Sequence, residues 1–364
     1  MNRQLKKKIW VCNDLWMDIL PSFDRPQLGL KMALLSDRFD VLVDAHFDGK
    51  SEVTIWREIT IRKGVGPTPK LSVLIDDKLV AFPLPDHPLP NKIRFKNLLI
   101  DYIDYSVIEF LRSNKHIWDR MGTKLELFID GDETEDVQPI WDVLAREIWP
   151  IFASNIRHLS FFDADDLDNL RRHISPTILT DCDQLNFICS YGLFPDAIAD
   201  DGPNATIALL PDAIGDDGPN ATAGQVLSKW LHTPSKDGQP KRLFYRYYSK
   251  PPNLKWINNL KEAFPRALSS ASYIIRIDYV ETMPTEPFEL ENERTKEKLT
   301  LINEDTFYWL LKRCPIGETE ATVQWENDGN LDHLNAVRFV LWAGIGPLSP
   351  PTDEEADQSN KNVV

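Results

Sequence analysis

What this chain has little of narrows it first. It carries four cysteines in 364 residues, Cys12, Cys182, Cys189 and Cys314, with no CxxC spacing and no neighbouring histidine pair, so neither a zinc site nor a disulfide framework is indicated. Positive charge is scarce: 41 Lys and Arg against 56 Asp and Glu give a net charge of −15 and an isoelectric point near 5.0. Nucleic acid is therefore not an expected partner, because displacing counterions from phosphates needs clustered cations. The basic run from Arg3 to Lys8 is short and terminal and reads as a solvated leader. No apolar run approaches the roughly 20 residues needed to cross a bilayer, and the residues after the basic run, Ile9 to Asp14, lack the apolar stretch of a signal peptide. No membrane partner is expected, and the thiols should be reduced, in the cytoplasm or nucleus. The Asn-x-Thr sequons at Asn204 and Asn220 then read as loop sequence, not glycan acceptors.

Local catalytic signatures are missing as well. There is no GxSxG, no GxxxxGK[ST] and no HExxH, and both Gly64-Val-Gly66-Pro67 and Gly344-Ile-Gly346-Pro347 place a proline where a phosphate cradle needs free amides. Asp130-Gly-Asp132-Glu-Thr-Glu135 hints at a calcium loop but has Glu135 where the loop needs glycine, and Trp141 at its twelfth position. It and Asp163-Ala-Asp165-Asp-Leu-Asp168 read as solvated acidic loops. The histidines stand apart from one another, and His116, beside Ile117-Trp118, reads as a helix-end or packing residue. No catalytic residue, cofactor or metal ligand is expected.

What is present is core-forming material, with 42% apolar residues, 11 tryptophans and 17 phenylalanines. Leu28, Met32, Leu35, Phe39 and Leu42 recur at alternating spacings of four and three, so the segment from Trp10 to Phe47 is predicted helical, divided at Pro21 and Pro26. Asp14 is the expected cap of its first helix, and Ser36 with Asp37 of its last. From Ser51 the period changes to two: Val53, Ile55, Ile59 and Ile61 share one parity, and Leu71, Val73 and Ile75 repeat it. Further strand-like runs follow at Ile93–Ile100, Lys124–Ile129, Arg157–Phe162, Leu185–Cys189, Arg242–Tyr248 and Tyr273–Val280. Helical patterns lie between them at Tyr105–Trp118, Pro139–Phe152, Asp166–Ile174, Ala221–Leu231 and Leu254–Leu268. This alternation predicts an α/β fold with parallel strands and right-handed crossovers. Either an irregular βα solenoid similar to leucine-rich repeats or a doubly wound sheet would produce it. Phe244-Tyr245-Arg246-Tyr247-Tyr248 reads as a strand whose solvent-facing set could belong to a protein-binding face.

A tandem duplication interrupts the pattern: Pro195–Thr206 returns as Pro211–Thr222, differing only at Ala199 against Gly215, and reads as a surface-loop expansion. The tail from Pro347, with its Pro350-Pro351 pair and Asp353, Glu354, Glu355 and Asp357, is too polar to pack and is expected to be disordered. The chain thus divides into a helical module at 9–50, an α/β domain at 51–346 with an inserted loop at 195–222, and an acidic tail at 347–364.

The helical segment resembles the F-box. Val11-Cys12 stands where that family has Leu-Pro, Asp14 where an acidic residue is common, and Leu15, Ile19, Leu20 and Phe23 at its apolar positions. Gln27-Leu28 stands for its acidic-Leu pair, and Leu35-Ser36-Asp37-Arg38-Phe39 for its closing motif. The remainder looks like the F-box-associated regions of the nematode F-box families, on Phe95–Leu111 and Asn114–Asp119. The resemblance implies a three-helix module that docks onto a Skp-type adaptor and, through it, cullin, with Val11, Cys12, Leu15, Trp16, Ile19, Leu20, Phe23 and Leu28 forming the docking surface. It further implies that the α/β domain receives a target protein for ubiquitination, without catalysis by this chain. A free-standing repeat-type scaffold is the alternative, and a hydrolase or transferase on a doubly wound sheet would need ionisable groups converging at strand ends.

Overall fold

The computed structural model describes residues 11–23, 27–47, 53–56, 59–64, 68–75, 78–85, 87–89, 93–119, 122–129, 138–195, 215–246, 254–278, 286–304, 308–317, 335–341 and 344–350. Residues 196–214, which hold all of the first copy of the duplication after Pro195 and the start of the second, lie outside them, as do Tyr247-Tyr248, the acidic run 130–137 and the tail beyond Pro350. The chain is mixed α/β and forms two compact units, residues 1–120 with 346–364, and residues 121–345.

The first unit opens with α1 (Asn13–Ile19), a 3-10 turn (Leu20–Ser22), a π-helical turn (Leu28–Met32), a second 3-10 turn (Ala33–Leu35) and α2 (Asp37–Phe47). Asp14 is not the cap. Cys12 occupies the N-cap position without a side-chain bond, and Asp14 sits in the first turn, where its charge faces the positive end of the helix dipole. Ser36 is extended, and its carbonyl accepts from the backbone N–H groups of Phe39 and Asp40. Strands β1 (Val53–Trp56), β2 (Ile59–Arg62), β3 (Lys70–Ile75), β4 (Lys78–Pro83), β5 (Ile93–Phe95) and β6 (Asn97–Ile100) follow. β2, β3 and β4 form an antiparallel meander, β6 lies parallel to β2, and β1 pairs separately with β5. The run expected as one strand over Ile93–Ile100 thus breaks at Lys96 and serves two sheets. Asp104 caps α3 (Tyr105–Ser113) by accepting from Val107 N at 3.0 Å, and α4 (Lys115–Asp119) follows at once. The Gly344-Ile-Gly346 segment is structural: Gly346 N donates to Ile103 O at 2.7 Å, and a Cβ there would lie 1.8 Å from Tyr102 Oη.

The second unit alternates strand and helix: β7 (Thr123–Leu127), α5 (Gln138–Val143), a π-helical turn (Leu144–Ile148), α6 (Trp149–Phe152), β8 (Ile156–Phe161), α7 (Ala164–His173), α8 (Ile178–Asp181), β9 (Phe187–Ser190), α9 (Ala223–His232), β10 (Lys241–Arg246), α10 (Leu254–Ala263) and β11 (Tyr273–Asp278). β7 to β11 are parallel and lie side by side in chain order, with none of the order reversal that marks a doubly wound sheet. Antiparallel β12 (Phe288–Asn292), β13 (Glu297–Asn303) and β14 (Tyr308–Pro315) extend the sheet beyond β11, and β15 (Asn335–Phe339) pairs in parallel with β7. α7 packs against α5 and α9, α8 against α9, and Trp256 of α10 donates to Ser228 Oγ of α9 at 3.4 Å, so these helices share one layer. Strand alternation presents that layer with a row of one residue per strand, Val337, Leu125, Leu159, Ile188, Leu243, Ile275, Leu311 and Leu301, each 1% exposed or less. Each such side chain stabilises the fold by about 2 kcal/mol on burial.

The described part of the second copy of the duplication, Gly215–Thr222, is no bland surface insertion, because its end is the N-cap of α9. Thr222 and Gln225 form a reciprocal capping box, and the buried Arg171 donates to Ala221 O at 2.6 Å and Gly218 O at 2.9 Å. Gly215 has φ +93°, and a Cβ on it would sit 2.4 Å from Gln225 O. The one position at which the copies differ therefore has a physical reason: alanine cannot take the place of Gly215.

Candidate functional site

Two surfaces are candidates for a functional site, one in each unit. In the first, α1 is bound to α2 by the closing residues of the helical segment. Arg38 Nη2 donates to Val11 O at 2.6 Å and to Asn13 Oδ1 at 2.7 Å, and Trp16 stands edge-on to Phe39 with ring centroids 4.8 Å apart. This packing leaves Cys12 and Leu15 exposed and Ile19 half-buried, at the three- and four-residue spacing of a single helix row. Leu15 is 49% exposed. Val11, Trp16 and Phe23 are half-buried. Leu20 and Leu28 do not belong to the surface: at 0% and 1% exposure they are buried, as are Leu30, Val43 and Phe47. The reason is rotational, since five residues at 100° each carry Leu20 about 140° around from Leu15. Conversely, Leu35 at 63% and Val41 at 67% exposure are solvent-facing apolar residues that the periodicity assigned to the core stripe or passed over.

The second surface is the face of the β7–β11 sheet opposite the buried row. Register places Lys124, His158, Phe187, Arg242, Ile274 and Lys312 in one row across it, and Arg338, Glu126, Ser160, Cys189, Phe244, Arg276 and Leu310 in the next. At the C-terminal ends of the parallel strands, arginines and aromatic rings interleave. The Arg338 guanidinium lies 5.9 Å from the Phe128 ring centroid, and Phe128 meets Tyr191 edge-on at 5.6 Å. Arg246 covers Tyr191 at 5.5 Å and Phe244 at 4.9 Å, while Arg276 lies 6.0 Å from Phe244 and 4.4 Å from Tyr308. Phe162, 41% exposed, stacks on Tyr191 at 5.9 Å. Of the local cluster read in the sequence, Phe244 and Arg246 belong to this ladder, and Tyr245 points into the core against Phe194, which in turn meets Trp256 edge-on.

Beneath the ladder lies a buried polar strip. Burial favours a neutral Glu126, but Lys124, 2.6 Å away, and the hydrogen-bonded Arg338 reverse this and hold its carboxyl below the usual range. Burial, and then the charge of Lys124, push the His158 imidazole well below its usual value. His158 Nε2 lies 2.9 Å from Ser160 Oγ, a pair that strand spacing of two places on one face. Its Nδ1 has no hydrogen-bond partner, so among the described residues nothing orients the ring as a catalytic base requires. Burial raises the Cys189 thiol to about 11, leaving it protonated at neutral pH.

No family model matches the chain and no curated protein matches it either, so its own residues carry the functional argument. Near the N-terminal ends of β9 and β10 a depression is lined by Cys182, Asp183, Asn186, Ser235 and Lys241. Lys241 Nζ donates to Trp230 O at 2.6 Å over the Trp230 ring, and burial lowers its pKa to about 8. Among the described residues, no group of three His, Cys, Asp or Glu side chains is placed to hold a metal ion, and no helix is long and apolar enough to cross a membrane. The Asp163–Asp168 run is a helix start, with Asp163 accepting from the N–H groups of Asp165 and Asp166 at the N-terminus of α7.

Proposed function

We propose that this chain is a non-catalytic substrate-recognition adaptor of a Skp/cullin/F-box ubiquitin ligase, docking through the α1 row and holding a target protein on the α/β region. The observation that carries the reading is the row of exposed Cys12 and Leu15 and half-buried Ile19 on a helix fixed by Arg38 and Phe39 of the family-like closing motif. An apolar helix face of this kind suits a groove on a partner. Parallel strands in chain order under one layer of helices are what a leucine-rich-repeat-like region would present to a target. The chain would act by raising the effective concentration of target lysines near a ubiquitin-loaded enzyme.

The test is titration of the full chain with a purified Skp-type subunit. Binding should be present for the parent and lost for Leu15→Asp combined with Ile19→Asp, while circular dichroism of that variant is unchanged; a parent that does not bind overturns the assignment. One observation favours a free-standing scaffold instead: the helical segment clusters with β1–β6 in one unit and does not stand apart as its own module. The same titration separates the two readings.

A further inference from the structure

The Arg–aromatic ladder has a chemistry of its own. Among the described residues, its face across β15, β7–β11 and β14 carries six cations, Lys124, Arg242, Arg246, Arg276, Lys312 and Arg338, against two carboxylates, Glu126 and Asp278, with Glu304 reaching it from beyond β13 as a third. The chain as a whole has a net charge of −15, so a positive face is a local exception to its composition. Arg338 is paired with Glu126, and Arg276 Nε lies 3.8 Å from Glu304. Arg246, exposed at the centre of the ladder, has no carboxylate at ion-pair distance among the described residues; its contacts are the rings of Tyr191 and Phe244. A guanidinium held over aromatic rings without a salt bridge keeps its N–H donors unspent on a carboxylate, which suits it to bidentate capture of one from a partner. Tyr191 and the arginines are of the residue types that dominate protein-binding hot spots, and phenylalanine is enriched at interface cores.

We infer that this ladder, centred on Arg246, is a docking surface for an acidic peptide segment of a partner protein, whose carboxylates pair with Arg246 and Arg276 and whose apolar side chains cover Phe162. This deepens the adaptor reading, on which it rests for its biological purpose, by naming the face and the chemistry of the target. A single-stranded nucleic acid is the other polyanion that such a surface brings to mind. Bases stack on free ring faces, but here Phe244 and Tyr191 are covered by guanidinium groups, and Tyr191 is further covered by Phe162 at an interplanar angle of 12°. The overall charge opposes nucleic acid as well.

The experiment is selection of phage-displayed random dodecapeptides on the full chain, with no ligase subunit present, so that its outcome is separate from that of Skp-subunit binding. Enriched peptides should carry more Asp and Glu than the input library, and a synthetic copy of the leading peptide should bind Arg246→Glu at least tenfold more weakly than the parent, and Arg246→Ala weakly too. Arg246 is exposed, so both variants should keep the parent's circular dichroism. Failure to enrich acidic residues overturns the inference, as does an acidic peptide that binds Arg246→Glu as tightly as the parent. A decameric oligouridylate that binds the parent and is lost on Arg246→Glu also overturns it, since the ladder would then be a nucleic-acid surface.

Discussion

The N-terminal helices and the parallel-strand unit bury apolar side chains by different means, and the contrast shows where each has something to spare. In the second unit every strand from β7 to β11 contributes alternate residues to one continuous row buried against the helices, while the opposite face buries Glu126, His158, Ser160, Cys189 and Ile274 and exposes arginines and rings only toward the C-terminal strand ends. The helical segment from α1 to α2 is too short for that economy. It fills an interior with Leu20, Leu28, Leu30, Leu42, Val43 and Phe47 and leaves Leu15, Leu35 and Val41 in solvent. Exposed apolar surface in the first unit and exposed cationic surface in the second are thus separate consequences of how each is folded, and they suit partners of different chemistry.

The largest expected break in this contrast is at the antiparallel end of the second unit. Arg313 Nη2 and Glu297 Oε2 are 2.7 Å apart with side chains 4% and 3% exposed, and Glu297 also accepts from Ala271 N at 2.7 Å. Glu297→Ala leaves a guanidinium buried without a counter-charge and should lower unfolding free energy by about 4 kcal/mol, read from the urea midpoint. Next comes the interior of the helical segment. Leu20→Ala removes a side chain with no solvent exposure and should cost about 3 kcal/mol, measured in the same way; an unaffected midpoint would mean that the segment has no packed interior of its own.

A smaller effect tests the helix layer by pH. Burial first, and then Asp163, raise Asp166 from 3.8 to about 7, against the opposing hydrogen bond that it accepts from Phe162 N at 2.7 Å. Because the folded pKa lies above the unfolded one, the folded state holds the extra proton. This contribution is fully present at pH 3.8 and below and is lost as pH rises through about 7. Asp166→Asn removes the charge but keeps an acceptor for Phe162 N. Thermal unfolding followed from pH 4 to pH 8 should lose this slope, and at pH 8 the variant should be more stable by about 2 kcal/mol, less than the full linkage value because a neutral acceptor bonds more weakly.

How much of this was legible in the sequence follows the same divide. The runs at Arg157–Phe162 and Asp166–Ile174 fall within two residues of β8 and α7, because a strand that buries one parity and a helix that buries one stripe write their periods plainly. The early start of α7 was missed because Asp163 caps through a side-chain bond that looks like one more acid in an acidic run. Strands β12 to β15 went unread for a different reason. Glu297 and Arg313 stand at inward positions of β13 and β14, where they interrupt the apolar alternation, and only the fold shows that they satisfy each other. Arg338 meets Glu126 across 212 positions of chain, a distance at which no local pattern speaks. The ladder was legible only as Phe244-x-Arg246, since its other members come one or two at a time from separate strands. At α1 and the turn that follows it, the family pattern named Leu15 and Leu20 together, and only the helical rotation separates them.

That separation supplies the prediction with the smallest stability effect. Leu15 is half in water already, so Leu15→Ala removes little buried surface and should change unfolding free energy by less than about 0.5 kcal/mol. Val41→Ala, at 67% exposure, should be equally silent. The two differ in the second measurement, titration with the Skp-type subunit. Leu15 lies on the row with Cys12 and Ile19, and its truncation should weaken binding at least tenfold, whereas Val41 lies on α2 outside that row and should leave affinity unchanged. Equal losses for both would widen the docking surface to include α2. No loss for either would leave the exposed leucine of α1 without a partner of this kind and return the helical segment to the role of a cap on the strands that follow it.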